Sequence, residues 1–296
     1  MSWLLSRIAG PLLARELVFP EEDFTVPAGE PAIVGPASVS WRVFQNPVSL
    51  AVGGITAVLL ELGEPGVRSG VWDHSSFRRD PRERMRRTGL GAMITVYGAR
   101  SRFEGYARRV NGIHRQVRGV TDAGEPYRAD DPVLLRWVQA TAAFGFVEAY
   151  KAYVAPLSAG EEDAFYDEAS LGAALYGVAD APRSRGEMWA LLAEMAPRLG
   201  PSPVLHEFLA IMRTGRILPG GAGWLQPLLA RGALSLVPLC LRERLGLRAE
   251  PGLGRGGRAL LRLAARVSGA IEVPDAPWSQ AGRRLSPGGG GGRPRS

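Results

Sequence analysis

Residues 131–153 read DPVLLRWVQATAAFGFVEAYKAY. An aspartate followed by proline is a helix start. The carboxylate accepts from the first free amides, and proline occupies the position whose N–H has no partner anyway. The spacing predicts one long helix over 132–153, and Asp80-Pro81 announces another in the same way. Ser101-Arg-Phe-Glu104, Ser158-Ala-Gly-Glu161 and Ser184-Arg-Gly-Glu187 read as capping boxes. Further helices are predicted near 2–16, 47–62, 81–97, 102–118, 159–176, 185–198, 203–214, 222–246 and 256–270. Pro227 and Pro238 should break or kink the ninth. Strand alternation is scarce, so the expected class is all-α: one globular domain of about ten helices.

The 296 residues, nearly half of them hydrophobic, suffice for a sizeable core. A single cysteine, Cys240, excludes an internal disulfide and a thiolate cluster, and it suits a reducing, cytoplasmic setting. The opening MSWLLSRIAGPLLAREL carries Arg7 inside its apolar run and reads as an amphipathic helix rather than a secretory signal. The longest uncharged stretch, Val43 to Leu60, is interrupted by Gln45, Asn46, Pro47, Gly53 and Gly54, which favours a buried helix over a membrane span. Residues 17–40 and 119–130 read as irregular, and 286–296 as a disordered Gly/Arg tail. The expected organisation is an N-terminal helix and irregular segment over 1–40, a single folded domain over 41–275, and that tail.

The formal charge is +7, from 35 arginines and one lysine, Lys151, against 29 acids. Between Arg78 and Arg118 stand 12 arginines and three acids, Asp80, Glu83 and Glu104. Such a run is ordinarily a solvated face or a nucleic-acid footprint. No nucleic-acid motif or stacking platform accompanies it, so no nucleic acid is expected as partner.

This basic stretch holds the most suggestive histidine. On a helix over 102–118, Phe103, Ala107, Val110, Ile113 and Val117 form an apolar stripe. His114 falls on that stripe, and Arg118 lies four residues further along the same face. A histidine there is, taken alone, most often a satisfied core residue. A buried arginine beside it with no acid at helical spacing needs an anion. An imidazole and a guanidinium so placed suit a haem, with iron on the ring and a propionate on the arginine. On the preceding helix Arg84, Arg87 and Thr88 share one face, while Gly89 and Gly91 would let another surface approach closely. The plain alternative is an exposed basic helix start.

The ordered series Asp80-Pro81, Arg84, Arg87-Thr88, Tyr97-Gly98, His114-Arg-Gln-Val-Arg118-Gly119, Trp137-Val-Gln-Ala-Thr141, Ala149-Tyr150 and Phe165-Tyr166 resembles the MpaB-type and rubber-oxygenase family from about residue 40 to 270. The resemblance implies an all-α fold around haem b, with His114 as the iron ligand and Arg118 in the same haem signature. It places Arg84, Arg87 and Thr88 on the distal or propionate side. Arg87 stands where rubber oxygenases carry a lysine able to cap iron. An arginine offers no lone pair, so the sixth position would be open, water-filled or otherwise filled. Glu64 and Gln139 stand where the family often has histidines.

Only three histidines exist, His74, His114 and His206, and no zincin or di-iron spacing occurs. Glycine-rich phosphate loops and a Gly-x-Ser-x-Gly elbow are absent too. His74, beside Asp73, reads as a hydrogen-bonded structural residue, and His206 as a surface one. The expectation is therefore a haem b-dependent oxygenase using dioxygen on a small hydrophobic substrate, by oxidative cleavage or hydroxylation. A catalytically silent haem- or lipid-binding member is the alternative, and a basic peripheral membrane or nucleic-acid binder the third reading. Peripheral membrane contact is compatible with all three, and the oligomeric state is left open.

Overall fold

The computed structural model describes residues 17–214, 217 and 220–286. The expected helix over 2–16 and all but the first residue of the expected tail lie outside them. The described residues form thirteen α-helices and one small hairpin. The helices are α1 (Val39–Val43), α2 (Pro47–Glu61), α3 (Pro65–His74), α4 (Pro81–Tyr97), α5 (Arg100–His114), α6 (Pro132–Tyr153), α7 (Ala159–Leu175), α8 (Arg185–Met195), α9 (Pro203–Thr214), α10 (Gln226–Leu236), α11 (Leu239–Arg244), α12 (Arg255–Gly269) and α13 (Pro277–Leu285). Strands β1 (Arg118–Val120) and β2 (Pro126–Arg128) pair antiparallel.

The centre is the crossing of α2 and α6. Asn46 caps α2 by accepting from the Val48 and Ser49 amides. Asp131 caps α6 through the Val133 and Leu134 amides. The two helices meet at Gly53 and Gly145: a Cβ at Gly53 would stand 2.8 Å from the Phe146 Cα, and one at Gly145 would collide with the Gly53 carbonyl. Glycine is required at both places because backbone, not a movable side chain, fills the space. Trp137, fully buried, donates from Nε1 to the Leu60 carbonyl at 3.2 Å. On another side α10 packs in, with Thr56 and Tyr153 donating to the Ala233 and Gly232 carbonyls. No single helix among the described residues is long and apolar enough to cross a membrane; α2 and α3 pass such a test only as a pair bent by 115°.

The expected break of the ninth helix is present: Pro227 lies in the first turn of α10, and Pro238 separates α10 from α11. The Ser158 capping box forms in full. At Ser184 only half of it forms, because Glu187 turns to the Arg183 amide. At Ser101 it fails. The helix begins at Arg100, and Glu30 reaches in from the irregular segment to accept from the Ser101 amide and hydroxyl at 2.6 and 2.9 Å. That segment is held by Arg284, which is 1% exposed and donates to the carbonyls of Glu30, Phe24 and Tyr97. Three carbonyls satisfy a buried guanidinium here without any carboxylate.

Two boundaries correct the sequence reading. The helix expected over 102–118 stops at His114, and the connector expected over 119–130 is the β1–β2 hairpin, turning at Gly124 with φ +83°. The Val117 carbonyl accepts from Ala129, so the backbone after His114 is taken by the hairpin instead of a further helical turn. Helices α1, α3 and α13 were not anticipated either.

Candidate active site

Asp80 caps α4 by accepting from the Glu83 amide at 3.0 Å, which fixes where each arginine of the first turns points. Arg84 turns inward and Arg87 outward. Burial lowers the Arg84 pKa, with Arg87 adding to that and Glu61 opposing it. Thr88 is exposed and its hydroxyl donates back to the Arg84 carbonyl at 3.0 Å. The three residues share one side of α4, as their spacing predicts, but only Arg84 reaches the interior.

Opposite Arg84 stands Glu61, at the last turn of α2. Desolvation pushes its carboxyl up to about 7, while Arg84 and the Thr141 hydroxyl pull it down. The negative end of the α2 dipole acts in the same direction as burial. Near neutral pH this carboxyl can therefore both hold and release a proton.

Gly91 admits the next member. A Cβ there would lie 2.7 Å from the Tyr106 hydroxyl, so the close approach expected beside Gly89 and Gly91 is realised at Gly91. Burial raises the Tyr106 pKa, and Arg109, Arg84 and Arg87 oppose the rise. The Arg109 guanidinium lies 5.2 Å from the centre of the Tyr106 ring.

His114 ends α5. Burial and then Arg84 lower its pKa, with Asp130 pulling the other way, so the ring is neutral at pH 7. Its Nδ1 is a buried atom without a hydrogen-bond partner. One turn earlier on α5, the Asn111 Oδ1 is also buried and unpartnered, although its amide donates to the Leu175 carbonyl. The other two histidines are provided for. His74 Nε2 lies 3.1 Å from the Tyr127 hydroxyl, and His206 Nδ1 lies 3.2 Å from a Glu250 carboxylate oxygen. Unpartnered buried polar atoms are rare in folded proteins and mark places where a ligand, ion or water completes the valence.

The stripe that was expected to carry His114 is buried only at Phe103 and Ala107; Ile113 is 53% exposed. Arg118 is not a turn beyond His114 on the same helix face. It sits on β1, exposed, opposite Arg128. The expectation of a buried Arg118 seeking an anion is thus overturned by the end of α5, and the desolvated arginine near His114 is Arg84.

The two positions where the family often has histidine are occupied differently. Glu64 caps α3 from its buried carboxylate and pairs with Arg198 at 2.9 Å. Gln139 lines an apolar cavity of about 120 Å3 with Phe44, Val96, Phe146 and Phe165. The Thr95 hydroxyl on that cavity lies 3.0 Å from the Tyr176 hydroxyl. Among the described residues no group of three or more His, Cys, Asp or Glu side chains is placed to hold a metal ion. A metal held largely by a macrocycle needs only an axial donor from the protein.

Glu61, Tyr106, Asn111 and Thr141 were missed as site residues. Asn111 was findable, since it precedes His114 by one helical turn. Glu61 and Thr141 come from helices far away in sequence, and no spacing rule connects them to His114.

The family model described as "ER-bound oxygenase mpaB/B'/Rubber oxygenase, catalytic domain" matches residues 41–270. Uncharacterised proteins of Mycobacterium bovis and Mycobacterium tuberculosis are each 32% identical over 116 residues, 38% of this chain and 46% of theirs. The match thus spans under half the length of these curated relatives. No solved structure matches the chain. With the family model covering most of the sequence, over a helical fold that carries His114 and Arg84 at one interior site, the chain belongs to the mpaB/rubber-oxygenase catalytic-domain family.

Proposed function

We propose that the chain is a haem b-dependent oxygenase that uses dioxygen on a small hydrophobic substrate, by oxidative cleavage or hydroxylation. The observation that carries this reading is the buried, unpartnered Nδ1 of a neutral His114. Such a ring keeps a donor nitrogen for a metal and lacks the protein partner that a structural histidine has. Bound haem would supply the iron chemistry that activates dioxygen.

The chain's own residues supply the rest. His114 would hold the iron. Arg84, cationic and half-buried, would face a propionate or other negative charge from the interior side. Arg118, exposed on β1, is left a propionate at the protein surface. Arg87 and Thr88 lie at the outer rim of the same side of α4. Glu61 would hold or give up a proton at its carboxyl oxygen, since it titrates near 7. The cavity between α1, α4, α6 and α7 is lined mainly by apolar side chains and, at about 120 Å3, has room for a small apolar group.

A second reading, a catalytically silent haem- or lipid-binding member, is favoured by three residues. Arg87 replaces a ligating lysine and is exposed, Gln139 replaces a histidine, and Glu64 is committed to a helix cap and Arg198. Absorption spectra of protein purified with added haem, beside His114→Ala, test binding. Dioxygen consumption with a panel of terpenoids and fatty acids tests turnover. A haem spectrum lost in His114→Ala together with dioxygen uptake supports the enzyme. The same spectrum without uptake supports the silent member. A colourless folded protein ends both haem readings.

A further inference from the structure

Helix α12 reads RGGRALLRLAARVSG and contains no acidic residue. It lies on the outside of the α2–α6 crossing and buries only one narrow edge, Leu261 and Ala265. Asn46 fastens that edge by donating from Nδ2 to the Ala265 carbonyl at 2.8 Å. Arg262 donates to the Ala152 carbonyl at 2.9 Å. The opposite side faces out with Leu260, Leu263 and Val267 exposed, Leu263 by 51%. A groove of about 700 Å3 borders that side and shares Leu263 with it, lined besides by Leu253, Arg255, Arg258, Arg262 and Arg266. None of these four arginines forms an ion pair with a carboxylate among the described residues.

A stripe of exposed aliphatic side chains flanked along one side by arginines that pair with no carboxylate is the pattern of a helix lying in a lipid interface, where the apolar side enters the acyl boundary and the guanidinium groups meet headgroups. We propose that α12 docks the protein on an anionic lipid bilayer. Charge complementarity identifies the partner. A second copy using the same face would set arginine against arginine across a two-fold axis. A nucleic acid would gain nothing from exposed leucine and valine, and the groove offers no aromatic side chain on which a base can stack. The docking face is remote from the active site. α12 is seated at the Asn46 end of α2, whereas Glu61 ends that helix 15 residues later, about 22 Å along its axis. Docking by α12 therefore places the protein at a membrane without closing the site, and it is independent of the haem reading.

The test is co-sedimentation of the full chain with vesicles of phosphatidylcholine alone, or with about a third of phosphatidylglycerol added. Binding is expected to the anionic vesicles only, weakening as salt is raised. Arg258→Gln with Arg266→Gln should lower the affinity by roughly thirtyfold, about fivefold for each arginine removed near a charged surface. Leu263→Ser should lower it several-fold more, with an unchanged circular dichroism spectrum as the check on folding. The control is Arg79→Gln with Arg108→Gln, in the arginine-rich stretch before His114; it should bind like the unaltered protein. Equal binding to neutral vesicles, or loss of binding in the control but not in the α12 variant, would overturn the proposal. So would salt-sensitive binding to a DNA duplex that survives Leu263→Ser while no vesicle is bound. A dimer in solution that dissolves in Leu263→Ser without any vesicle binding would assign the face to a second copy instead.

Discussion

The seam between α2 and α6 and the junction of α4 with α5 are both interior, and they are built on opposite terms. In the seam the polar groups are few and met: Thr56, Trp137 and Tyr153 each donate to a carbonyl, and glycines let backbone touch backbone. At the α4–α5 junction charged groups are half-buried, Nδ1 of His114 and Oδ1 of Asn111 have no partner, and Glu61, where α2 runs out of the seam towards Arg84, has its carboxyl pushed up to about 7. The seam is optimised for packing, whereas the junction keeps unmet polarity at a cost in stability. That difference is what makes the junction the candidate site.

The comparison breaks most visibly at Gly145. Gly145→Val forces the α2 and α6 backbones apart, and overpacking of this kind should cost about 3 kcal/mol. Urea denaturation would measure it, and a loss below the error of that measurement would mean the seam is not close-packed. An effect of comparable size, but one that depends on pH, is expected at Glu61. Its folded pKa, about 7, lies above that of an unfolded glutamate. The stability it contributes is full below about pH 4.5 and is lost as pH rises towards 7. Glu61→Gln should flatten the melting temperature across that interval and leave the protein more stable at pH 7.

His114 sharpens the contrast with the opposite sign. Its folded pKa is lowered, so its contribution is present above pH 6.5 and is lost as pH falls below that value. His114→Leu should remove this acid sensitivity in thermal melts while abolishing any haem absorption. The smallest effect belongs to Arg118. It is exposed on β1, and Arg118→Ala should change stability by no more than about 0.5 kcal/mol. A large loss in chemical denaturation would return it to the interior.

Much of the fold was legible because its signals are local. Asp131-Pro132, Asp80-Pro81 and Ser158 with Glu161 cap helices within four residues of themselves, and a proline beyond the first turn, such as Pro238, ends a helix locally. The failure at Ser101 has the converse cause, a distant competitor. Glu30 comes from 71 positions away to take the Ser101 amide. The hairpin escaped notice because three-residue strands are too short to display alternation, and its formation ended α5 at His114.

The sequence by itself determined an all-helical chain, the starts of its main helices, and His114 as the histidine to watch, since caps, prolines and side-chain periodicity act over one or two turns. Only the tertiary structure decided which arginine reaches the interior, that Glu61 and Thr141 stand near it, and that α12 keeps an outer face bare. Those facts depend on how desolvation and charge are shared between helices that meet across the bundle, and no local pattern encodes that distance.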